Sequence, residues 1–233
     1  MMLETRDLTK VFQVGDVSVR AVDGVSLTVA DGESVAIMGP SGSGKTTLIS
    51  CLGCLTRPTS GEIIVNGGGP IDYKKKSHLA RIRQHEMGFI FQSFNLIPFL
   101  SALENVIIPL QNAGVKGKTA RGRAQELLDS VGLLERQNHL PSQLSGGEQQ
   151  RVSIARALAG DPRIILADEP TANLDTGRGK EIMAILETLC RKHGKTLICV
   201  THDQRMVEHV DRVLNMVDGR LVGDVPVHDS GLR

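Results

Sequence analysis

The sequence of 233 residues predicts an α/β fold with a mainly parallel sheet. Three observations lead to this prediction. Short apolar runs typical of buried strands alternate with helical patterns, a glycine-rich loop separates one such run from a helix, and another run ends in two carboxylates. In folds of this kind helices cover both faces of the sheet, and ligands bind at the carboxyl ends of the strands.

The N-terminal residues predict an antiparallel β subdomain. Strand-like stretches cover 8–14, 17–22 and 25–29, and Asp31-Gly32 is a turn signal. A short apolar run, 34–38, then reads as a buried strand of the α/β core.

A phosphate-binding loop follows this strand. Residues 39–46 fit G-x-x-x-x-G-K-S/T, the loop of nucleoside triphosphatases; they are Gly39, Pro40, Ser41, Gly42, Ser43, Gly44, Lys45 and Thr46. Glycines let the backbone curl around an anion, and the N-terminus of the next helix favours negative charge. Lys45 suits the β- and γ-phosphates, and the Thr46 hydroxyl suits Mg²⁺. An accidental Gly/Ser-rich turn is the alternative, but the strand before the loop and the helical spacing of 48–55 after it favour a functional loop.

Composition excludes several classes of protein. The formal net charge is +1, so overall charge indicates no nucleic-acid partner. No apolar run approaches the ~18 residues of a membrane span and no signal peptide is visible, so we expect a cytoplasmic chain that meets a membrane only through a partner. Cys51 and Cys54 form C-x-x-C inside the predicted helix, where small buried hydrophobic residues are favoured over a metal or redox site.

The middle of the chain predicts two strands, a basic run and a helical insertion. Residues 61–67 and 88–91 read as strands, the second ending at Gln92, and lysines 74–76 indicate a solvated helix start or loop rather than a nucleic-acid patch. From about 93 to 160 the pattern is helical, which predicts a helical subdomain inserted in one domain spanning 1–233. Strand and helix alternation then resumes, with strands at 164–167, 196–200 and 213–217.

Polar residues at the ends of these strands complete a candidate catalytic site. Asp168-Glu169 follows the run 164–167, which we expect to lie beside the phosphate-loop strand. The first carboxylate suits Mg²⁺ and the second suits orienting an attacking water, whereas helix capping is the alternative. Gln92 suits Mg²⁺ and γ-phosphate sensing. His202, more often structural when isolated, is well placed after its strand for a γ-phosphate.

The segment Leu144-Ser145-Gly146-Gly147-Glu148-Gln149-Gln150-Arg151 resembles the signature motif of ATP-binding cassette (ABC) ATPases. Taken alone, Ser145 reads as a helix cap. The family's other motifs occur in order: the phosphate loop, Gln92, the signature, Asp168-Glu169, a D-loop at 172–175 and His202. This resemblance covers residues from about 3 to about 224.

The resemblance implies ATP hydrolysis with Mg²⁺ between two head-to-tail copies of the chain. ATP would lie between one copy's phosphate loop and the other's Ser145, Gly146 and Gly147. Glu169 would be the catalytic base or water-orienting residue, and His202 would support the γ-phosphate. Phe12 would stack on adenine in place of the family's more frequent Tyr, and Thr47 and Asp175 would join the nucleotide site; Thr46, Gln92 and Asp168 would hold the metal.

The resemblance also implies a membrane partner. The apolar, proline-interrupted segment 93–106 is expected to receive a permease subunit at the cytoplasmic face of the cell membrane, with local core packing as the alternative. The sequence of this segment most resembles that of ATPases from lipoprotein-releasing systems, macrolide and peptide exporters and the cell-division ABC pair. An importer ATPase and a non-transport ABC ATPase, as in DNA repair or iron–sulfur assembly, remain the alternatives.

Overall fold

The computed structural model describes residues 1–227; the last six residues of the predicted domain, 228–233, lie outside the described part. The strands are β1 (Leu3–Val14), β2 (Val17–Val29), β3 (Ser34–Met38), β4 (Ser60–Val65), β5 (Met87–Ile90), β6 (Ile164–Asp168), β7 (Thr196–Thr201), β8 (Arg212–Val217) and β9 (Arg220–Pro226). The helices are α1 (Lys45–Leu52), α2 (Lys76–His85), α3 (Ala102–Asn112), α4 (Gly117–Ser130), α5 (Gly146–Leu158) and α6 (Thr176–Lys192).

The N-terminal sheet is antiparallel, as predicted, in the order β2-β1-β4. The stretches 17–22 and 25–29, expected as two strands, form the single strand β2. The pairing with β1 shifts register there, and Gly24 adopts φ +64. Glycine tolerates this left-handed conformation, so the chain bulges and continues pairing instead of turning.

The second sheet is mainly parallel, in the order β5-β6-β7-β3-β8-β9, with β9 antiparallel to β8. One expectation was wrong: β6 does not lie beside the phosphate-loop strand β3. The strand β7 pairs with both, through Leu166↔Ile198 on one side and Ala36↔Cys199 on the other. Every residue of β7 is buried, which suits a central parallel strand covered on both faces.

The helix after the phosphate loop is shorter than predicted. It ends at Leu52, so Cys54 lies outside it and Leu55 is half-exposed. Cys54 takes φ +56, and a Cβ on Gly53 would lie 2.4 Å from the ring of Phe89, so the sheet approaches too closely for another turn. Cys51 and Cys54 are buried, and burial raises the pKa of each thiol to about 11, as expected of inert core residues.

The segment from 93 to 160 contains α3, α4 and α5, preceded by an irregular stretch up to Ser101. The buried Asn105 holds that stretch: its side chain accepts from Ile97 N at 2.8 Å and donates to the carbonyls of Leu100 and Ser101, each at 3.0 Å. The basic run at 74–76 is exposed and leads into α2 at Lys76.

Two main apolar clusters cover the two faces of the parallel sheet. One joins α1 to the N-terminal sheet through residues such as Leu48 and Ile63, and the other joins α3–α6 through residues such as Leu128 and Leu186. Within residues 1–227, the helices are too short or too polar to cross a bilayer.

Candidate functional site

The phosphate loop joins the buried strand β3 to α1 in a shape that requires glycine. Gly44 precedes the helix at φ +99, and a Cβ there would lie 2.0 Å from the Ala21 carbonyl oxygen. A Cβ on Gly39 would lie equally close to the Met216 carbonyl oxygen. The loop therefore packs directly on backbone at these two glycines, and within it Ser43 N donates to Pro40 O at 3.2 Å.

Lys45 closes this loop from inside. Its side chain is almost fully buried, and Nζ donates to the carbonyls of Gly39 at 2.9 Å and Pro40 at 2.8 Å. These carbonyls are neutral partners, so the ammonium charge is held within the loop without a carboxylate on it. Thr47, in the first turn of α1, is half-buried.

The side chains of Thr46 and Asp168 meet, although the strand before the phosphate loop, β3, is not adjacent to β6, which ends at Asp168. Thr46 lies in the first turn of α1, and its hydroxyl donates to Asp168 Oδ1 at 3.1 Å. Burial raises the pKa of Asp168, and the nearby Glu169 adds to the rise, whereas the Thr46 hydrogen bond and the Lys45 charge oppose it. Because burial disfavours the charged form of this carboxylate, a cation bound beside it would stabilise that form.

Glu169 and His202 form the next pair. His202 Nδ1 lies 3.2 Å from Glu169 Oε1, at the ends of the neighbouring strands β7 and β6. Glu169 adopts φ +46, an uncommon backbone conformation for a residue with a side chain, and its N–H donates to Val200 O at 2.9 Å. A hydrogen on Nδ1 lets the imidazole donate to the carboxylate, and a hydrogen on Nε2 as well would let the ring donate at both nitrogens.

Gln92 lies two residues beyond the end of β5, the strand that pairs with β6 on its outer side. Gln92 is exposed, and its backbone carbonyl accepts a hydrogen bond from Asn173 Nδ2 at 2.9 Å. The amide of Asn173 therefore fixes the loop after Gln92 to the loop after Glu169. No motif around Asn173 signals this contact, because the asparagine stands in a polar stretch of the D-loop.

The signature residues begin α5 and cap it. Ser145 Oγ accepts from Glu148 N at 3.4 Å, and Glu148 Oε2 accepts from Ser145 N at 2.8 Å, which is a capping box. This backbone hydrogen bond lowers the pKa of Glu148. The helix cap predicted for Ser145 taken alone is therefore present.

The signature lies against the D-loop and away from the phosphate loop. A Cβ on Gly146 would lie 3.6 Å from the Leu174 side chain, and one on Gly147 would lie 3.4 Å from that of Arg178. Within the described part of the chain, no hydrogen bond or ion pair joins 145–147 to 39–47. The structure thus brings together Thr46, Asp168, Glu169 and His202, and leaves the signature apart from them.

Two more predicted residues lie at the edges of this arrangement. Asp175 caps α6, accepting from Arg178 N at 3.1 Å, and this bond lowers the pKa of Asp175. Phe12, on β1, is 40% exposed, and Lys10 Nζ lies 4.8 Å from its ring centroid. Lys10 thus covers one face of the ring, and stacking on a base would use the part that stays exposed.

Sequence reasoning missed two side chains on α5 that hold the surrounding loops. The buried Gln150 donates to Pro170 O at 2.8 Å, directly after Glu169. Arg156 donates to the carbonyls of Phe94 and Asn95, two successive residues with positive φ after Gln92. No motif signals these roles, because they depend on which loop passes each helix turn.

Comparison with known proteins agrees with this geometry. The family profile described as "ABC transporter" matches residues 22–172. An uncharacterized ABC transporter ATP-binding protein of Thermotoga maritima is 50% identical over 95% of this chain and 94% of its own length. The lipoprotein-releasing system ATP-binding protein LolD of Geobacter metallireducens is 48% identical over 96% of this chain and 99% of its own.

A longer relative matches in part. The macrolide export ATP-binding/permease protein MacB of Hyphomonas neptunium is 47% identical over 96% of this chain, which spans only 34% of that protein. Among solved structures, the dimeric post-hydrolysis state of the ATP-binding cassette MJ0796 bound to ADP and Pi has a TM-score of 0.89 and 42% identity, over 97% of this chain and 99% of its own. The chain belongs to the ABC transporter family, as one of its ATP-binding subunits.

Proposed function

We propose that this protein hydrolyses ATP between two head-to-tail copies to drive a membrane subunit of the lipoprotein-release or macrolide-export kind. One observation carries the proposal: Thr46, Asp168, Glu169 and His202 converge at one edge of the sheet, whereas Ser145–Gly147 begin a helix elsewhere on the same chain. Each copy would carry two separate parts of a nucleotide site, the phosphate-loop part and the signature part. When two copies meet, the phosphate-loop part of each would be completed by the signature part of the other.

Lys45, the loop amides and the α1 N-terminus would hold the β- and γ-phosphates, with Pro40, Ser41, Gly42 and Ser43 forming the loop and Thr47 following it. Phe12 would stack on the adenine. Asp175, on the D-loop beside the signature, would contribute from the facing copy. The second copy's Ser145, Gly146 and Gly147 would supply a further helix N-terminus to the γ-phosphate.

Oxygen ligands for Mg²⁺ fit this site. The Thr46 hydroxyl and the Asp168 carboxylate lie 3.1 Å apart. Gln92 follows β5, which is the neighbour of β6 at the same edge of the sheet. Mg²⁺ favours one or two protein oxygens together with substrate phosphates over a dedicated cluster of side chains. Bound there, the ion would neutralise phosphate charge as the bond to the leaving group breaks.

Glu169 and His202 would act on the attacking water. Glu169 would orient it or accept its proton, while His202, which contacts that carboxylate through Nδ1, would meet the γ-phosphate as a hydrogen-bond donor through Nε2. Closing the dimer excludes water and brings the second set of N–H donors into place, so hydrolysis follows closure.

The membrane partner would dock at the cytoplasmic face, near 93–106. Part of that segment is core, since Leu103 and Val106 are buried. Asn95 lines a groove that continues between α2, α3 and the end of α5. Phe99, 77% exposed, is the most exposed apolar side chain of the segment. We therefore place docking at the Asn95 end of the segment, rather than along all of it.

The dimer requirement gives the test. We expect ATP turnover per subunit to rise with protein concentration, because the active species contains two chains, and to require Mg²⁺. Light scattering on the same samples would report the dimer. Full turnover per subunit from a species that remains monomeric at every concentration would contradict the shared site. Turnover without any divalent ion would contradict the metal assignment.

A further inference from the structure

The helix α5 turns one face toward the loop that follows Glu169. A Cβ on Gly146 would lie 3.6 Å from the Leu174 side chain. Gln150, one helical turn later, donates through Nε2 to Pro170 O at 2.8 Å. Residues one turn apart lie on the same face of a helix. This face of α5 therefore contacts both the D-loop and the peptide next to the proposed water-orienting carboxylate.

Gln150 is fully buried, yet its amide is paired at one end only. Nε2 donates to Pro170 O, whereas Oε1 has no hydrogen-bond partner among residues 1–227. A buried acceptor without a partner is unfavourable, and an apolar side chain of the same shape would avoid that cost. Packing of α5 therefore does not require a glutamine here, and the hydrogen bond to Pro170 is what an apolar residue would lack.

The backbone around Glu169 is held in an uncommon conformation. Its φ of +46 is rarely adopted by a residue with a side chain, and such a conformation persists where the neighbours impose it. Glu169 N donates to Val200 O of β7 at 2.9 Å, and Ala172 N donates to Glu169 O at 3.2 Å. Gln150 adds a bond from α5 to the next carbonyl, that of Pro170. The direction of the Glu169 side chain therefore depends on β7, on its own loop and on α5.

We propose that Gln150 is a positioning residue, which carries a shift of the signature end of α5 to the peptide after Glu169 and so adjusts the water-orienting carboxylate of its own copy. This rests on the proposed function, because it takes Glu169 as the group that acts on water and Ser145–Gly147 as a contact to the neighbour's nucleotide. Nucleotide bound by one copy thereby tunes hydrolysis in the other. The effect falls on turnover and not on ATP affinity, since Gln150 bonds to Pro170 and not to the phosphate loop.

The first experiment removes the hydrogen bond and keeps the shape of the side chain. Gln150→Met should lower turnover at saturating ATP by about tenfold, because even a small misplacement of a reacting group costs rate. ATP affinity, measured by isothermal titration, should stay within about twofold of the wild-type value. Tm should change little, because the variant also removes the unpaired Oε1. Gln125→Met is the matched control, since the amide of Gln125, on α4, donates to the Gln137 side chain at 2.8 Å.

Three readouts separate positioning from a structural role. A lower Tm with unchanged turnover per folded molecule makes Gln150 a packing residue and overturns the inference. A loss of ATP affinity that matches the loss of turnover overturns it too, because the residue then acts on binding. The Hill coefficient for ATP should be lower in Gln150→Met than in the wild type, since one site no longer responds to the other. An unchanged coefficient overturns the coupling between the two sites.

The second experiment asks which copy's hydrolysis depends on Gln150. Mixed dimers are purified through two different affinity tags, with Glu169→Gln in one copy, so that the remaining turnover comes from the copy that keeps Glu169. Gln150→Met is then added to one copy or to the other. The inference expects a loss of about tenfold when it is in the copy that keeps Glu169, and little change when it is in the copy with Glu169→Gln.

The placement of the loss decides the outcome. A glutamine that only shaped the signature would act on the nucleotide of the neighbouring copy, so the reverse pattern, or equal losses in both arrangements, overturns the inference. If the wild-type chain hydrolyses ATP fully as a monomer, the proposed function fails. If turnover requires the dimer and Gln150→Met behaves as wild type, the role of Gln150 alone fails, so the two failures can be distinguished.

Discussion

The N-terminus of α1 follows a glycine-rich loop and the N-terminus of α5 begins with two glycines, but the two helix starts differ in the groups that lie at them. At α1, the Lys45 ammonium lies within the loop and the Thr46 hydroxyl meets a carboxylate. At α5, the first N–H groups are partly taken by the capping box of Ser145 and Glu148. The first is equipped for a phosphate by its own chain, while the second brings no cation into its turn.

A third helix shows what a cap alone looks like. The start of α3 has the same capping box, in which Ser101 Oγ accepts from Glu104 N at 3.2 Å and Glu104 Oε2 accepts from Ser101 N at 2.8 Å. There the cap is followed by Ala102 and Leu103, both buried, where α5 has Gly146 and Gly147. The glycines, and not the cap, distinguish the signature from an ordinary helix start.

The strongest test of the contrast is at α1. We expect Lys45→Ala to lower ATP affinity by about a hundredfold and turnover by about a thousandfold, because a charged donor leaves the loop. Isothermal titration with ATP and a phosphate-release assay measure the two effects. Lys118→Ala, at an exposed lysine of α4, is the control. Normal turnover by Lys45→Ala would sink the phosphate-loop assignment.

The second test separates binding from hydrolysis. Glu169→Gln keeps the shape of the side chain but removes its basicity, so turnover should fall by about a hundredfold or more while ATP still binds. The variant should then accumulate as an ATP-dependent dimer in size-exclusion chromatography. Glu135→Gln, at an exposed site, should behave as wild type. A variant that stays monomeric at saturating ATP would contradict the shared site in the isolated subunit.

The third test uses the two matched caps. Ser145→Ala and Ser101→Ala each remove one serine of a capping box, so each should lower the free energy of unfolding by about 1 kcal/mol. Only Ser145→Ala should also lower turnover, by about tenfold, with ATP affinity of the monomer unchanged. Denaturant unfolding and steady-state hydrolysis provide the comparison. Equal turnover in the two variants would reduce Ser145 to a helix cap.

The smallest effect concerns Asp168. Its pKa is raised in the folded state from the ordinary 3.8, so the fold favours the protonated form and loses stability as pH rises through the folded-state pKa. Asp168→Asn should therefore raise Tm at pH 7 without nucleotide or Mg²⁺, and the gain should shrink as pH falls toward about 4, close to the ordinary pKa of 3.8. Calorimetry at both pH values measures it. A gain that grows on acidification would reverse the assigned sign.

The motifs at both helix starts could be predicted from sequence because their chemistry requires particular residues at fixed spacing. Gly44 and Lys45 have no substitutes in a tight anion loop, and Asp168-Glu169 follow an unmistakable buried run. The parallel sheet followed from strand and helix alternation. Strand order did not: the apolar runs 164–167 and 196–200 are equally buried, so composition does not tell which pairs with β3.

Other features depended on tertiary contacts that no local pattern records. The end of α1 at Leu52 is set by the ring of Phe89, which lies against Gly53 although the two residues are far apart in sequence. The holding of the Gln92 loop by Asn173 and Arg156 similarly joins distant segments. An asparagine or arginine in a polar stretch carries no sign of such a partner until the chain is folded.

The helix α5 has one more consequence. It rises about 20 Å over its 13 residues, from the signature at one end to Arg156 near the other. In the proposed dimer its first turn would touch nucleotide held by the neighbouring copy, whereas its last turns border the copy's own groove. Through α5, the membrane subunit docked on one copy would respond to nucleotide bound in the phosphate loop of the other copy. If the phosphate loop of one copy were disabled, the membrane subunit docked on the opposite copy would therefore be the one affected.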